Sequence, residues 1–220
     1  MLLAIDTSAG TSVAVVDPVG PTVRALRATS DTRRHAEAIG PFIAEALVAA
    51  AVSSTDITAV VAGMGPGPFT GLRVGIVAAR TFASARGIPL LPVVSHDAAA
   101  AQIVAAKAPD AVGASSSADE FVVLTDARRR EQYWSAYRGG ASGVFERVAG
   151  PGLAKPTDLD TALGPFAAAP RTLIDAIDAG WLGVLAAERL SSGAAFAPDS
   201  PLYLRDPDVT MPGAPKRVAS

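Results

Sequence analysis

Two stretches of this 220-residue sequence carry the side chains and backbone groups that hold phosphates in proteins. The first is DTSAGTS at Asp6–Ser12, where a carboxylate, several hydroxyls and the N–H groups of a tight turn fall within a few residues. The second is GMGPGPFTGLRVG at Gly63–Gly75, whose glycines and prolines fix a loop ahead of a helix. Thr70 is placed to cap that helix, leaving N–H groups outward for an anion. Asp6, Ser8, Gly65, Gly67 and Thr70 are therefore weak candidates for contact with an anion or nucleotide. The same residue types also build ordinary turns and rigid strand-to-helix connections, and no Gly-Lys-Ser/Thr follows to make a Walker loop.

Other chemistry has little to work with. The sequence has no cysteine, which removes disulfides, zinc ribbons, iron–sulfur clusters and thiol nucleophiles. Its two histidines are His35 and His96. His96, in VSHDAAAA, stands beside Asp97, but Ala99 and Ala100 occupy the positions one helical turn on, so no metal site forms. A structural role is expected for both histidines. No catalytic residue and no metal ligand is assigned. The charged run Asp126, Arg128, Arg129, Arg130, Glu131 reads as a hairpin tip, either solvated or touching a partner or RNA phosphate.

Half of the residues are hydrophobic and 18% are charged, so the chain can bury a sizeable core. A net charge of -2 offers no field for holding a polyanion alone. The N-terminus lacks the basic start of a secretory signal, and no apolar run fits a membrane span. A cytoplasmic protein is expected.

The elements that must position these residues follow from periodicity. Leu2–Ile5, Val13–Val16 and Val23–Ala28 read as an antiparallel meander. Over Asp31–Val52, Ile39, Phe42, Ile43, Ala46, Leu47 and Ala50 recur at helical spacing. Ile57–Ala62 is a buried strand, Leu72–Arg86 a helix and Leu90–Val94 another strand. The order βββ-α-β-α-β is that of ribonuclease-H-like lobes. An Ala-rich stretch 98–118 leads to two strands around the charged tip, a third strand at Val144–Val148 and an apolar helix around Ile174–Leu190, which complete a second α/β lobe. The expected organisation is a first lobe over 1–98, a second over 99–206 and a flexible tail over 207–220.

Helix Leu72–Arg86 confines Arg73, Arg80 and Ser84 to a narrow stripe, while apolar residues spread around the remainder. One sheet face cannot cover so wide a surface, so the helix also meets helix 31–52 or another polypeptide. Phe42, Leu47, Val74 and Ala78 are the expected partner contacts.

GPGPFTGLRVG closely resembles the hallmark segment of the TsaB (YeaZ) family, Gly-Pro-Gly-Ser-Phe-Thr-Gly-Leu-Arg-x-Gly. LAIDTSAGTSVAV is similar to that family's opening, RRHAEAIGPFIAEAL to its His-Ser-Glu helix, LTDARRREQYWSAY to its Asp-Ala-Arg hairpin and PLYLRDPDV to its C-terminal Pro-x-Tyr-Leu-Arg. The resemblance covers nearly the whole chain. It implies the ASKHA (actin-like ATPase) fold, an α/β architecture of two ribonuclease-H-like lobes with mixed sheets.

It also implies a non-catalytic subunit that binds and activates a TsaD-like enzyme. That enzyme transfers threonylcarbamoyl to N6 of the adenosine next to the tRNA anticodon, with a TsaE-like ATPase in the complex. Contact with tRNA would be indirect, and the chain alone would be a homodimer. No cofactor is expected on the chain itself, with ATP bound weakly or at the partner interface. Pro68 stands where the family has Ser, and Ala100 where TsaD relatives have the second of two metal-binding histidines. The alternative is a stand-alone ASKHA-type ATPase or small-metabolite kinase using Asp6 and the loop Gly63–Thr70.

Overall fold

The computed structural model describes residues 1–107, 119–139 and 145–205. The expected tail 207–220, part of the Ala-rich stretch and Val144 lie outside them. β1 (Leu2–Asp6), β2 (Thr11–Asp17) and β3 (Thr22–Thr29) form the meander. β1 also pairs in parallel with β4 (Ala59–Gly63), and β4 with β5 (Leu90–Val93), giving the order β3-β2-β1-β4-β5. The second sheet contains β6 (Asp119–Asp126), β7 (Gln132–Gly139), β8 (Phe145–Ala154) and β9 (Arg171–Leu173) in the order β8-β7-β6-β9, with β6 and β9 parallel.

Strand alternation divides the first sheet between two cores. Leu3, Ile5, Val13, Val15, Val60 and Ala62 face α1 (His35–Ala49) and α2 (Phe69–Arg86). Leu2, Ala4, Ala14, Val16 and Val61 face the other way, into a core shared with α3 (Ser95–Lys107), α5 (Ala179–Ser192) and Phe121, Val123 and Tyr137 of the second sheet. Both sheets are thus built around one apolar layer, while α4 (Leu159–Leu163) covers the second sheet's other face with Val122 and Leu124.

Three expectations are corrected. α1 starts at His35 rather than Asp31, because the Asp31 carboxylate accepts the Arg33 N–H at 2.9 Å and holds the chain in a turn. The Ala-rich stretch contains α3, which periodicity cannot reveal because Ala98–Ala101 are buried all round. The last apolar helix begins only after Asp178, whose side chain accepts the Gly180 N–H at 2.7 Å, and it packs on the first sheet rather than completing the second lobe. Its approach depends on glycine. A Cβ at Gly183 would lie 2.4 Å from Val16 Cγ2, and one at Gly180 2.8 Å from Val23 Cγ2.

Candidate functional site in the cleft between the sheets

The β1–β2 turn and the glycine loop after β4 are joined by one buried carboxylate. Asp6, 1% exposed, accepts the Ser8 N–H at 2.7 Å and the Ser8 hydroxyl at 2.6 Å on Oδ1, and the Ser95 hydroxyl at 2.5 Å on Oδ2. Ser95 Oγ in turn accepts the Gly65 N–H at 3.0 Å, tying the loop to the start of α3. Burial raises the pKa of Asp6 and outweighs the opposing hydrogen bonds.

Thr7, the next residue, is spliced into α2. Its hydroxyl donates to the Gly71 carbonyl at 2.7 Å and accepts the Gly75 N–H at 2.9 Å, bridging a pair that an uninterrupted helix would join directly. Only glycine admits it, since a Cβ at position 75 would lie 2.4 Å from Thr7 Oγ1. Beside this junction His35 is buried, with Nδ1 2.8 Å from Thr11 Oγ1. Burial lowers its pKa, assisted by the charge of Arg128.

In front of the junction a cleft of about 600 Å³ opens between the sheets, walled in part by Ser8, Thr32, Thr70, Asp126 and Arg128. A second hollow of about 520 Å³ shares Pro68, Thr70 and Arg128 with it and adds Gly67, Phe69, Tyr133, Tyr203 and Arg205. Of the five anion candidates, Ser8, Gly67 and Thr70 reach these hollows. Asp6 and Gly65 lie behind, engaged in the lock just described. Thr70 does not cap α2: the helix begins at Phe69, its N-cap residue is Pro68, and no side chain caps it.

The charged tip between β6 and β7 forms the cleft's basic rim. Arg128, Arg129 and Arg130 adopt φ of 64°, 53° and 61°, three consecutive left-handed residues with none of them glycine. Arg128 reaches the Thr32 hydroxyl across the cleft, and Arg205 pairs with Glu131 and donates to the Ala127 carbonyl at 3.2 Å. Phe69 and Tyr203 pack at 4.8 Å between ring centroids, with the Arg73 guanidinium 5.1 Å from the Phe69 ring. The glycine loop, the Asp-Ala-Arg hairpin and the Tyr-Leu-Arg segment, distant in sequence, therefore meet at one place.

His96 is fully buried, with Nδ1 2.8 Å from Ser135 Oγ and Nε2 3.0 Å from Thr125 Oγ1. Burial and the nearby Arg147 charge push its pKa down to about 3, so it is a neutral structural group. Among the described residues no group of three His, Cys, Asp or Glu is arranged to hold a metal ion. Phe42, Leu47, Val74 and Ala78 are half-buried against the α1/α2 core, while Val48 and Val77 of the same helices are 80% and 55% exposed.

Sequence reasoning missed Ser95 and Thr11. The hydroxyl at the end of β5 was the available signal for the first. Only the folded structure pairs the second with His35.

A family model described as TsaD, tRNA N6-adenosine threonylcarbamoyltransferase, matches residues 24–174. Among solved structures, YeaZ from Pseudomonas aeruginosa superposes with a TM-score of 0.68 at 25% identity, over 92% of this chain and 99% of that one. The tRNA threonylcarbamoyladenosine biosynthesis protein TsaB of Escherichia coli is 26% identical over 83% of this chain and 69% of its own length. The chain belongs to the TsaB/YeaZ family. Its two mixed sheets form the actin-like ATPase (ASKHA) fold of the YeaZ structures. An uncharacterized protein of Mycobacterium tuberculosis is 36% identical to this TsaB/YeaZ member over 94% of the chain and 92% of its own. Another from Mycobacterium leprae is 39% identical over 73% of the chain, which spans 40% of that longer relative.

Proposed function

We propose that this TsaB/YeaZ member acts in threonylcarbamoyladenosine modification of tRNA, as a non-catalytic subunit that binds and activates a TsaD-like enzyme. The observation that carries this reading is how the carboxylate and the imidazole behind the cleft are employed. Asp6 is sealed behind the glycine loop by Ser8 and Ser95, and His96 is neutral between Ser135 and Thr125. Neither of these two groups is presented to a substrate as nucleophile or general base, and of the groups in the cleft wall His35 is engaged by Thr11 and Asp126 by the Arg128 N–H.

The partner surface of this proposal is the outer face of α1 and α2, with Phe42, Leu47, Val74 and Ala78 at its base and Val48 and Val77 standing out from it. Without a partner this face pairs with a second copy, giving a homodimer. A TsaE-like ATPase joins through the complex, contact with tRNA is indirect, and the site of action is the cytoplasm. ATP is bound by the isolated chain with a Kd on the order of 100 μM or weaker, or at the partner interface. A stand-alone ATPase or small-metabolite kinase has the open cleft and its arginines in its favour.

Reconstitution separates the two readings. The chain alone with Mg-ATP should turn over no nucleotide. Mixed with a TsaD-like protein, a TsaE-like ATPase, tRNA and the threonylcarbamoyl adenylate, it should restore modification. Val77→Asp should leave stability within ~1 kcal/mol of wild type, because the side chain is largely exposed, and should abolish both association and modification. Turnover of ATP by the chain alone would establish the kinase reading instead. A folded Val77→Asp protein that still binds and activates the partner would move the interface elsewhere.

A further inference from the structure

A second charged cluster lies away from the cleft. Asp97, buried near the start of α3, sits between two guanidinium groups. Arg147 Nε, from β8, is 3.2 Å from Oδ1, and an Arg189 terminal nitrogen, from α5, is 3.3 Å from Oδ2. The Tyr137 hydroxyl, from β7, donates to Oδ1 at 2.9 Å. Among the described residues Asp97 is the one carboxylate in ion-pair contact with either arginine, so the cluster holds one positive charge in excess. Arg147 Nε is shielded from solvent and meets Asp97 as an ion pair without hydrogen-bond geometry. A buried charged N–H without a well-aimed acceptor is less well satisfied than a hydrogen-bonded one.

The cluster opens onto a pocket of about 270 Å³. Its remaining walls are mostly hydrocarbon, with Met64 and Val94 just past the ends of β4 and β5, and Phe196 and Leu202 on the extended segment after α5. That segment is fastened by the Ala197 N–H to the Pro92 carbonyl at 3.1 Å and the Leu202 N–H to the Met64 carbonyl at 2.8 Å. A planar guanidinium pair is suited to a carboxylate, and apolar walls to a hydrocarbon chain.

We propose that this pocket binds a small monocarboxylate bearing a short hydrocarbon chain, its carboxylate held by Arg147 and Arg189 and its chain against Met64, Val94, Phe196 and Leu202. The charge count selects a monoanion, which neutralises the cluster where a dianion would reverse its sign. At ~30 Å³ per water-sized group the pocket takes roughly nine such groups, enough for a six-carbon acid. Such a ligand would touch α3, α5, β8 and the 195–202 segment together, so binding must stabilise the whole chain.

The test uses the full chain and hexanoate, with acetate, neutral hexanamide and inorganic phosphate as comparators, followed by calorimetry and thermal unfolding. Hexanoate should bind at millimolar concentrations or below and raise the unfolding midpoint. Acetate and phosphate should bind about tenfold more weakly and hexanamide not at all. Arg189→Gln removes one guanidinium but leaves Asp97 with Arg147 and Tyr137, so the fold should persist while hexanoate affinity falls about tenfold or more. Leu202→Ala, which leaves the charges untouched, should weaken hexanoate more than acetate. The proposal is overturned if millimolar hexanoate does not bind, or if hexanamide or phosphate binds as well as hexanoate does. A folded Arg189→Gln protein of unchanged affinity would also overturn it. Should Arg189→Gln fail to fold, Leu202→Ala decides: equal losses for hexanoate and acetate, or none, reject the site.

Discussion

The two hairpins facing the cleft spend their polar groups in opposite ways. At the β1–β2 turn, Asp6, Thr7 and Ser8 direct their hydrogen bonds inward: those of their side chains end on α2, Ser95 or the turn itself. At the β6–β7 tip, Arg128, Arg129 and Arg130 stand outward on a backbone that non-glycine residues rarely adopt. A composition rich in carboxylate, hydroxyl and glycine, which suggests a phosphate cradle, here builds an internal lock. Arg128 and Arg129, which face the cleft and the adjoining hollow, are carried by the strained turn.

The most severe way to break this contrast is a methyl group at Gly63. Its Cβ would fall 1.8 Å from Asp6 Oδ2 and 2.8 Å from Ser95 Oγ, and the lock has no room to relax because both partners are buried. Gly63→Ala should cost more than ~4 kcal/mol in chemical denaturation, or prevent folding. Gly87→Ala is the control. That glycine ends α2 at φ 63° with nothing near its Cβ, so the loss there should be only ~1 kcal/mol. A Gly63→Ala protein within ~2 kcal/mol of wild type would mean that the Asp6 carboxylate swings free and is available to a ligand.

The same contrast explains what could be read from sequence. The five strands of the first sheet were legible as short apolar runs bounded by Asp, Gly, Pro or Ser, α1 by its helical apolar spacing and α2 by its narrow polar stripe. α3 was not, since a run of alanines buried on every side has no polar face to mark the period. The destination of α5 was hidden for a different reason: Gly180 and Gly183 signal close approach without naming the surface approached, which proves to be Val16 and Val23. At the site, Ser8 and Thr70 line the cleft, and Gly67 and Thr70 the adjoining hollow. That Asp6 turns away from it depends on Ser95, 89 residues distant, and no local pattern encodes that partner.

Acid titration should sharpen the comparison by a smaller amount. His96 has a folded pKa of about 3 against 6.5 in the unfolded chain, so between those values the unfolded state binds the proton and the folded state does not. Its contribution to stability is therefore complete above pH 6.5 and is lost as the pH falls toward 3, with a slope of at most ~1.4 kcal/mol per pH unit. Asp6 acts with the opposite sign. Its pKa is raised, so its contribution is complete below 3.8 and is lost as the pH rises through the folded value. Denaturation of wild type and His96→Gln between pH 4 and 6.5 should show a shallower dependence in the variant. Equal slopes would mean that His96 is protonated in the fold and that its two hydroxyl partners serve a charged ring.

The smallest effect belongs to the exposed tip, and its expected sign is favourable. Arg130 holds φ 61° without being glycine, a conformation that costs a side-chain-bearing residue ~1–2 kcal/mol. Glycine removes that penalty but gives the unfolded chain extra freedom worth ~0.5–1 kcal/mol. Arg130→Gly should thus stabilise the protein by ~0.5–1 kcal/mol, seen as a rise of a few degrees in Tm. Arg128 is the useful companion, because it shares the strained backbone but also reaches Thr32, while its N–H donates to Asp126 at 2.9 Å. Arg128→Gly relieves the same strain and loses the contact across the cleft, so it should gain less than Arg130→Gly or nothing. If Arg130→Gly instead lowers stability by more than ~0.5 kcal/mol, the turn is not storing strain at that residue. The arginine side chain would then be contributing to the fold, and the tip would belong with the β1–β2 turn as a structural lock.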